Sequence, residues 1–429
     1  MSDARTGDDT RAEVEGRTRG WLEDSYARSM RDLRGREAVV YDPVGEPCAM
    51  TRFHFQEVFR KLKIFRWLEQ QPFESFLDLG SGIDVYPKLV AARYGVPAYY
   101  SDFTHQMNLP YAGPAFGKLD HAVTLNVASL PFDDDAFDVV LASEVLEHLV
   151  RPVEAIAELL RVTRKYLVMT SLEALAANPR ERRRSHRRVD VRVPHVERNF
   201  FLLDEFEAIF GEFHHENLLF DGTLPASAFA TDAEQATTYG ALDTTTKFAD
   251  ALVRGIAVTD HRPGAMGILL VKTKPGASLT PPRPENDPPL ARWLIERAAW
   301  AERTGLEMLR LHPGPEDFAR RDRPIDPELL ALLRCPDCRA PLAGAPDGVR
   351  CAACGARFAA EFGVPILYPT GARGPGAREP ELLARLCRDD AGRRRVVRRL
   401  MRRLRRNERP PGPLRRLAWR LEDHLRPRA

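Results

Sequence analysis

The stretch Phe76-Leu77-Asp78-Leu79-Gly80-Ser81-Gly82 constrains this chain more than any other. An apolar, β-type run leads straight into a turn with two glycines, which let the backbone approach a ligand and expose N–H groups at a helix start. Pro87 then falls in the first turn of the helical pattern that follows, where a missing N–H costs little. About 20 residues beyond Gly82 a second apolar run ends in Asp102. In a doubly wound sheet those two strand ends are neighbours, so Asp102 can accept hydrogen bonds from ribose hydroxyls held over the glycine turn. A dinucleotide is one candidate ligand, but the GxGxxG fingerprint needs glycine at position 85, which is Val85.

Apolar β-rich runs alternate with helical spacing from about residue 74 to 275, which predicts an α/β fold around a doubly wound, mostly parallel sheet. Seven strands are expected, at 75–79, 98–101, 122–125, 137–142, 166–170, 216–220 and 266–272. Helices are expected at 86–94 and 153–162. The 429 residues leave room for two or three domains. Residues 1–20 read as a disordered N-terminus and 21–275 as the main domain, with N-terminal helices and an insertion at 222–262. A Pro-rich linker and a helix at 290–311 occupy 276–327, a cysteine module 328–370, and an Arg-rich helical tail 371–429. No apolar run approaches the ~20 residues of a membrane-spanning helix, and the first residues lack the apolar stretch of a secretory signal. A cytoplasmic location is the expectation.

Four of the six cysteines lie together. Cys335-Pro336-Asp337-Cys338, twelve intervening residues and Cys351-Ala352-Ala353-Cys354 form two CxxC knuckles whose thiolates can complete a tetrahedral Zn²⁺ shell. Gly355 and Ala356 suit a tight turn whose N–H groups point at sulfur. A closed four-thiolate site is structural, so no catalysis is assigned to it.

Charge is divided unevenly. The chain carries a formal +3, yet 391–429 holds 15 Arg against 3 acidic residues, a local +12 that leaves 1–390 at −9. Arginines from Arg393 to Arg406 interleave with Val396, Val397, Leu400, Met401 and Leu404 as a basic amphipathic helix. RNA phosphates or an anionic membrane surface would suit it, and so would a role as a solvated cover for a patch of its own protein. A second basic run, Arg180, Arg182, Arg183, Arg184, Arg187 and Arg188, follows the fifth strand.

Taken in order, the segments Asp78-Leu79-Gly80-Ser81-Gly82, Asp102-Phe103-Thr104, Leu130-Pro131-Phe132-Asp133-Asp134-Asp135 and Glu144-Val145-Leu146-Glu147-His148-Leu149 resemble the class I S-adenosylmethionine-dependent methyltransferases, of the methyltransferase type 11 kind. The resemblance implies S-adenosylmethionine as cofactor, held by Asp78, Gly80, Ser81, Gly82, Tyr86, Asp102, Phe103, Asn126, Val127 and Glu144. The family's usual third glycine is Asp84 here; GSGIDVY followed by SDFTHQMN also resembles the N-methyltransferases of nicotinamide and phenylethanolamine, which lack that glycine too. In that comparison Tyr86 helps hold the methionine carboxylate, and Asn126 stands where an Asp usually faces the adenine amino group. His148, His195 and Glu144 are the candidate catalytic residues. Ser143-Glu144-Val145-Leu146 replaces the Asn/Asp-Pro-Pro-aromatic signature of enzymes that methylate planar exocyclic amines. The expected acceptor is therefore an oxygen, carbon or amine on a small or envelope-type metabolite, with RNA methylation or a non-catalytic cofactor-binding scaffold as alternatives. The cysteine module, from Leu329 to Leu367, resembles the small zinc-ribbon activators of tRNA, rRNA and release-factor methyltransferases, which implies a ribbon packed on the methyltransferase domain within one chain.

Overall fold

The computed structural model describes residues 61, 64–82, 86–105, 121–149, 152–170, 199, 217–219, 268–273, 289–290, 293–294, 324–370 and 391–407. The expected N-terminus at 1–20, the insertion at 222–262, the arginines of 180–188, His195 and most of the 276–327 connector lie outside these residues.

Five strands form the parallel centre: β1 (Phe76–Leu79), β2 (Ala98–Asp102), β3 (Ala122–Leu125), β4 (Phe137–Ser143) and β5 (Thr163–Thr170). Every residue of β1 to β4 is buried, as expected of mostly apolar strands covered on both faces. Helix α1 (Tyr86–Tyr94) crosses from β1 to β2, and α2 (Pro152–Val162) from β4 to β5. Strand β7 (Ile268–Thr273) runs antiparallel to β5, and β6 (Asn217–Leu219) antiparallel to β7. The order is β6-β7-β5-β4-β1-β2-β3, so the chain reverses direction of travel at β1. Ligands gather beyond the carboxyl ends of the strands at such a switch point.

The sheet does not stop at β3, which corrects the expected seven strands. After helix α3 (Pro327–Leu332) come β8 (Leu342–Ala345), β9 (Gly348–Cys351), β10 (Arg357–Glu361) and β11 (Val364–Leu367), an antiparallel meander. Strand β11 pairs in parallel with β3, Ile366 opposite Thr124 and Leu367 opposite Leu125, giving eleven strands in one sheet. The reason is the edge: β3 would otherwise present unpaired N–H and C=O groups, and a short apolar strand satisfies them. Helix α3 is started by Asp326, whose side chain accepts from the Glu328 and Leu329 amides, with Pro327 in the first turn.

Side chains lock the seam. The Arg334 amide donates to the Pro131 carbonyl at 2.8 Å and the Ser129 hydroxyl to the Pro336 carbonyl at 2.9 Å. Arg334 forks onto Asp133, and Arg339 reaches Glu158 Oε1 at 2.8 Å. His121 Nε2 lies 3.3 Å from Asp326. Glu158 is fully buried on α2, where it also holds Arg161 and the Leu130 amide.

Helix α4 (Ala391–Asn407) is the Arg-rich tail helix. Val397, Leu400 and Met401 are buried in the same core cluster as Ile156, Leu160, Leu333 and Phe358, and the helix packs on α2. Its apolar stripe therefore covers its own protein. Among the described residues no helix is long and apolar enough to cross a membrane.

Candidate functional site

The glycine turn is built by stitching the ends of β1 and β2 together. The Ser81 amide donates to the Ser101 carbonyl at 2.8 Å, and the Ser101 hydroxyl to the Asp78 carbonyl at 2.8 Å. Gly80 has φ +70°, and a Cβ there would sit 2.8 Å from a methyl of Val145, so the residue after Glu144 closes directly onto the turn. Gly82 has φ +52°, and among the described residues a Cβ there would meet nothing nearer than the Gly80 carbonyl at 3.9 Å.

Asp102 faces this turn. Its Oδ2 accepts from the Gly82 amide at 3.0 Å, and its Oδ1 from the amide and hydroxyl of Thr104, both at 2.8 Å. Burial pushes its carboxyl above the usual carboxylate range, while the hydrogen bonds from Thr104, Gly82 and Phe103 pull the other way. Phe103 next to it is gripped from the cysteine module: its ring packs edge-on to Tyr368 with centroids 5.7 Å apart, and its carbonyl accepts from the Tyr368 hydroxyl. Tyr86, at the start of α1, is fully buried, with Lys61 Nζ 4.9 Å above its ring centroid.

After β3, Asn126 caps its own loop: Oδ1 accepts from the Ala128 amide at 2.9 Å and its carbonyl from the Ser129 amide at 2.9 Å. The oxygen expected to face an adenine amino group thus already holds an Asx-type turn. Val127 in the same loop packs against the core. After β4, Glu144 has φ +53°, a strained setting for a residue with a side chain. Its amide donates to the Thr170 carbonyl at 3.0 Å and its Oε1 accepts from the Thr170 hydroxyl at 3.2 Å, so this carboxylate is tied to the end of β5. His148 is partly buried in the following turn, its amide bonded to the Val145 carbonyl. Glycine turn, Asp102, Asn126 and Glu144 all stand at carboxyl ends of β1 to β4, and Val145 brings the last loop onto the first.

Two groups here escaped sequence reasoning. Asn199 Nδ2 donates to the carbonyls of Leu146 and Leu149, both at 2.9 Å, and its amide to the Glu147 carbonyl at 3.0 Å, clamping the 144–149 turn. Its only trace is one carboxamide four residues past His195. Tyr368 carried no signal, because its role depends on β11 joining β3.

The four thiols converge as well. Cys335 and Cys354 Sγ are 3.6 Å apart and Cys338 and Cys351 Sγ 3.4 Å, with all four Sγ within 4.8 Å of one another and no disulfide among them. A tetrahedral ion with bonds of about 2.3 Å needs sulfurs about 3.8 Å apart, so the donor set fits a Zn²⁺ ion. Burial pushes the Cys335 thiol up. Cys351 is also penalised by burial, but the amides of Cys354 and Ala353 and the Cys338 thiol outweigh it and bring the thiol down to about 7.

Residues 77–168 match a protein-family model described as a methyltransferase domain. This segment is similar to methyltransferase domains. An uncharacterized methyltransferase of Mycobacterium marinum is 38% identical over 91 residues, 21% of this chain and 35% of that protein. The chain thus spans about a third of the length of this curated relative. Among solved structures it is similar to a chain from the complex between the Haloferax volcanii Trm112 methyltransferase activator and a methyltransferase, at 16% identity over 52% of this chain and 99% of that one, TM-score 0.33. A similar comparison holds for the YcgJ protein of Bacillus subtilis, at 16% identity over 50% of this chain and 97% of that one, TM-score 0.34.

Within the matched segment the donor set fits an adenosyl cofactor. The Gly82 amide and Asp102 carboxylate meet at 3.0 Å, no described residue crowds Gly82, and Phe103 packs against Tyr368 next to them.

Proposed function

We propose that the chain is an S-adenosylmethionine-dependent methyltransferase whose acceptor is an oxygen, carbon or amine of a small or envelope-type metabolite. The observation that carries this reading is the meeting of the Gly82 amide and the Asp102 carboxylate at 3.0 Å, across the paired ends of β1 and β2 at the switch point of the sheet.

The bound cofactor supplies a methyl group made electrophilic by its sulfonium. The protein's share is alignment, which can contribute roughly 7–11 kcal/mol. Asp102 accepts from the ribose hydroxyls and Gly80, Ser81 and Gly82 keep the backbone low beneath the cofactor. Tyr86 and Asp78 serve its amino-acid end; Phe103, Asn126 and Val127 line the adenine side. Glu144 and His148 are the groups able to take a proton where the acceptor arrives protonated, with His195 a further candidate from the sequence. The four thiolates hold a structural Zn²⁺ in a ribbon that behaves as a fused activator-like module. A reducing cytoplasm would keep those thiols available to metal.

A second reading, methylation of RNA, is favoured by one observation, the exposed arginine face of α4. Calorimetric titration of the full chain with S-adenosylmethionine tests the common core of both. Binding that is lost in Asp102→Ala supports them, and an absence of binding by the folded, metal-loaded protein overturns both. Transfer of labelled methyl to a metabolite extract or to purified RNA then separates the two acceptor classes.

A further inference from the structure

Helix α4 has two unlike sides. On one, Val397, Leu400 and Met401 are 0–1% exposed in the core cluster, on a helix packed on α2. On the other, Arg395, Arg398, Arg399 and Arg402 are exposed. Their spacing of three, one and three residues places them along a single stripe over two turns, about 10 Å at 1.5 Å per residue. The helix sequence AGRRRVVRRLMRRLRRN contains no acidic residue that could neutralise the stripe from within.

We infer that this stripe is a docking surface for the phosphate backbone of a nucleic-acid strand. An amphipathic helix that binds a membrane lays its apolar face some 5–10 Å into the lipid. Among the described side chains of α4 that face is already used in the protein core, and those exposed outward are all arginines. Guanidinium groups present a planar fork that matches phosphate oxygens and grips two at once. A row of them on a rigid helix fits a chain of regularly repeated phosphates, and a contact of that kind positions a strand without reading its bases. None of the four arginines belongs to the proposed cofactor site, so occupancy of the stripe does not depend on the cofactor reading above.

The counterion arithmetic sets the size of the effect. Each phosphate neutralised on a single strand contributes about 0.7 to the slope of log K against log salt, so four arginines give about 3. Between about 50 and 200 mM salt the affinity then falls roughly fifty-fold.

The test uses the full metal-loaded chain without cofactor, a fluorescein-labelled single-stranded RNA, a matching single-stranded DNA, and vesicles of phosphatidylcholine with phosphatidylserine. The expected result is anisotropy-detected binding of both strands with a slope of at least about 3. It should drop by about 3 in R395Q/R398Q/R399Q/R402Q at unchanged thermal midpoint, and be retained in the corresponding four-lysine variant. Should the fourfold glutamine variant not fold, Arg398→Gln and Arg402→Gln singly should each lower the slope by about 0.7. An unchanged slope in these variants, or association with the anionic vesicles and neither strand, overturns the proposal. Loss of cofactor binding with strand binding intact would count against the methyltransferase reading alone.

Discussion

Replacing Glu158 by glutamine should destabilise the protein far more than any change at the visible ion pairs around it. The Glu158 carboxylate takes four hydrogen bonds: from the Leu130 amide at 2.9 Å, from Arg161 Nε at 3.0 Å and Nη2 at 2.8 Å, and from Arg339 Nη2 at 2.8 Å. It is fully buried, and burial already depresses both partners, Arg161 downward and Arg339 to about 10, with Arg161 and Arg339 repelling each other. The amide keeps the shape but turns one acceptor oxygen into a donor, so an N–H then points at N–H groups, and two guanidiniums lose their shared counter-charge. Removing one partner of a buried pair costs about 3–5 kcal/mol. Asp133→Asn supplies the comparison. Asp133 also binds an arginine across the seam, Arg334 at 2.8 Å, but its side chain is 57% exposed, and an exposed pair contributes about 0–1 kcal/mol. Urea unfolding followed by far-ultraviolet dichroism and by tryptophan fluorescence should show the first variant shifted by several kcal/mol and the second by less than one, both probes moving together. Equal, small shifts in the two variants would refute the claim that Glu158 is the keystone between α2 and the cysteine module.

Four further outcomes are expected. Elemental analysis of the purified chain should find one zinc per molecule, and Cys351→Ser or a strong chelator should remove it and lower the thermal midpoint, since a structural metal contributes directly to folding. Asp102→Asn should weaken S-adenosylmethionine binding about ten-fold or more by calorimetry, a lost charged hydrogen bond being worth about 1.5–3 kcal/mol. Because burial raises the Asp102 carboxyl, its contribution to stability is full below the unfolded carboxylate value and is lost as pH rises through the folded one. Acid titration of the wild type should therefore show that slope, Asp102→Asn should flatten it, and cofactor affinity should fall as the carboxylate is protonated. Gly82→Ala should cost about 1 kcal/mol in folding, from its positive φ alone, yet impair cofactor binding, whereas Gly80→Ala should also have to displace Val145 and cost more in urea melts. Tyr368→Phe should cost about 0.5–1.5 kcal/mol and raise the dissociation constant of the cofactor, because it frees the Phe103 carbonyl.

What the amino-acid sequence discloses follows the range of the physics behind it. Strands β1 to β4 are readable because burial on both faces leaves short, mostly apolar runs, and Gly80, Gly82 and Asp102 because a tight turn and a following acid leave few alternatives. The two CxxC pairs were equally plain, since metal ligation restricts residue type. Glu158 and Arg161 look like the solvent side of an amphipathic helix; they are buried because a second layer, which no local pattern on α2 announces, lies over them. The stripe on α4 was visible as a period, but not what it would cover. Nor could His148 and Glu144 be sorted by type: one lies in a turn clamped by Asn199, the other is bonded to Thr170, and both facts come from distant residues.

The pairing of β11 with β3 was the least legible feature and has the widest consequences. A strand joins an open edge through backbone groups common to all residues, so Ile366 and Leu367 carry no mark of meeting Thr124 and Leu125. Once joined, the cysteine module touches the parallel sheet's loops at two places: Tyr368 on Phe103 beside Asp102, and Pro336 on Ser129 at the end of the Asn126 turn. Pro336 lies between Cys335 and Cys338, inside the first knuckle. The Ser129 hydroxyl thus ties that knuckle to the Asn126 loop, beside the Arg334 contacts to Pro131 and Asp133 and the pairing of β11 with β3. Ser129→Ala and chelation of the metal should weaken cofactor binding by overlapping amounts, their combined effect falling short of the sum, because both release the same loop. Strictly additive losses in a double-variant titration would show instead that the two modules share a sheet without sharing a function.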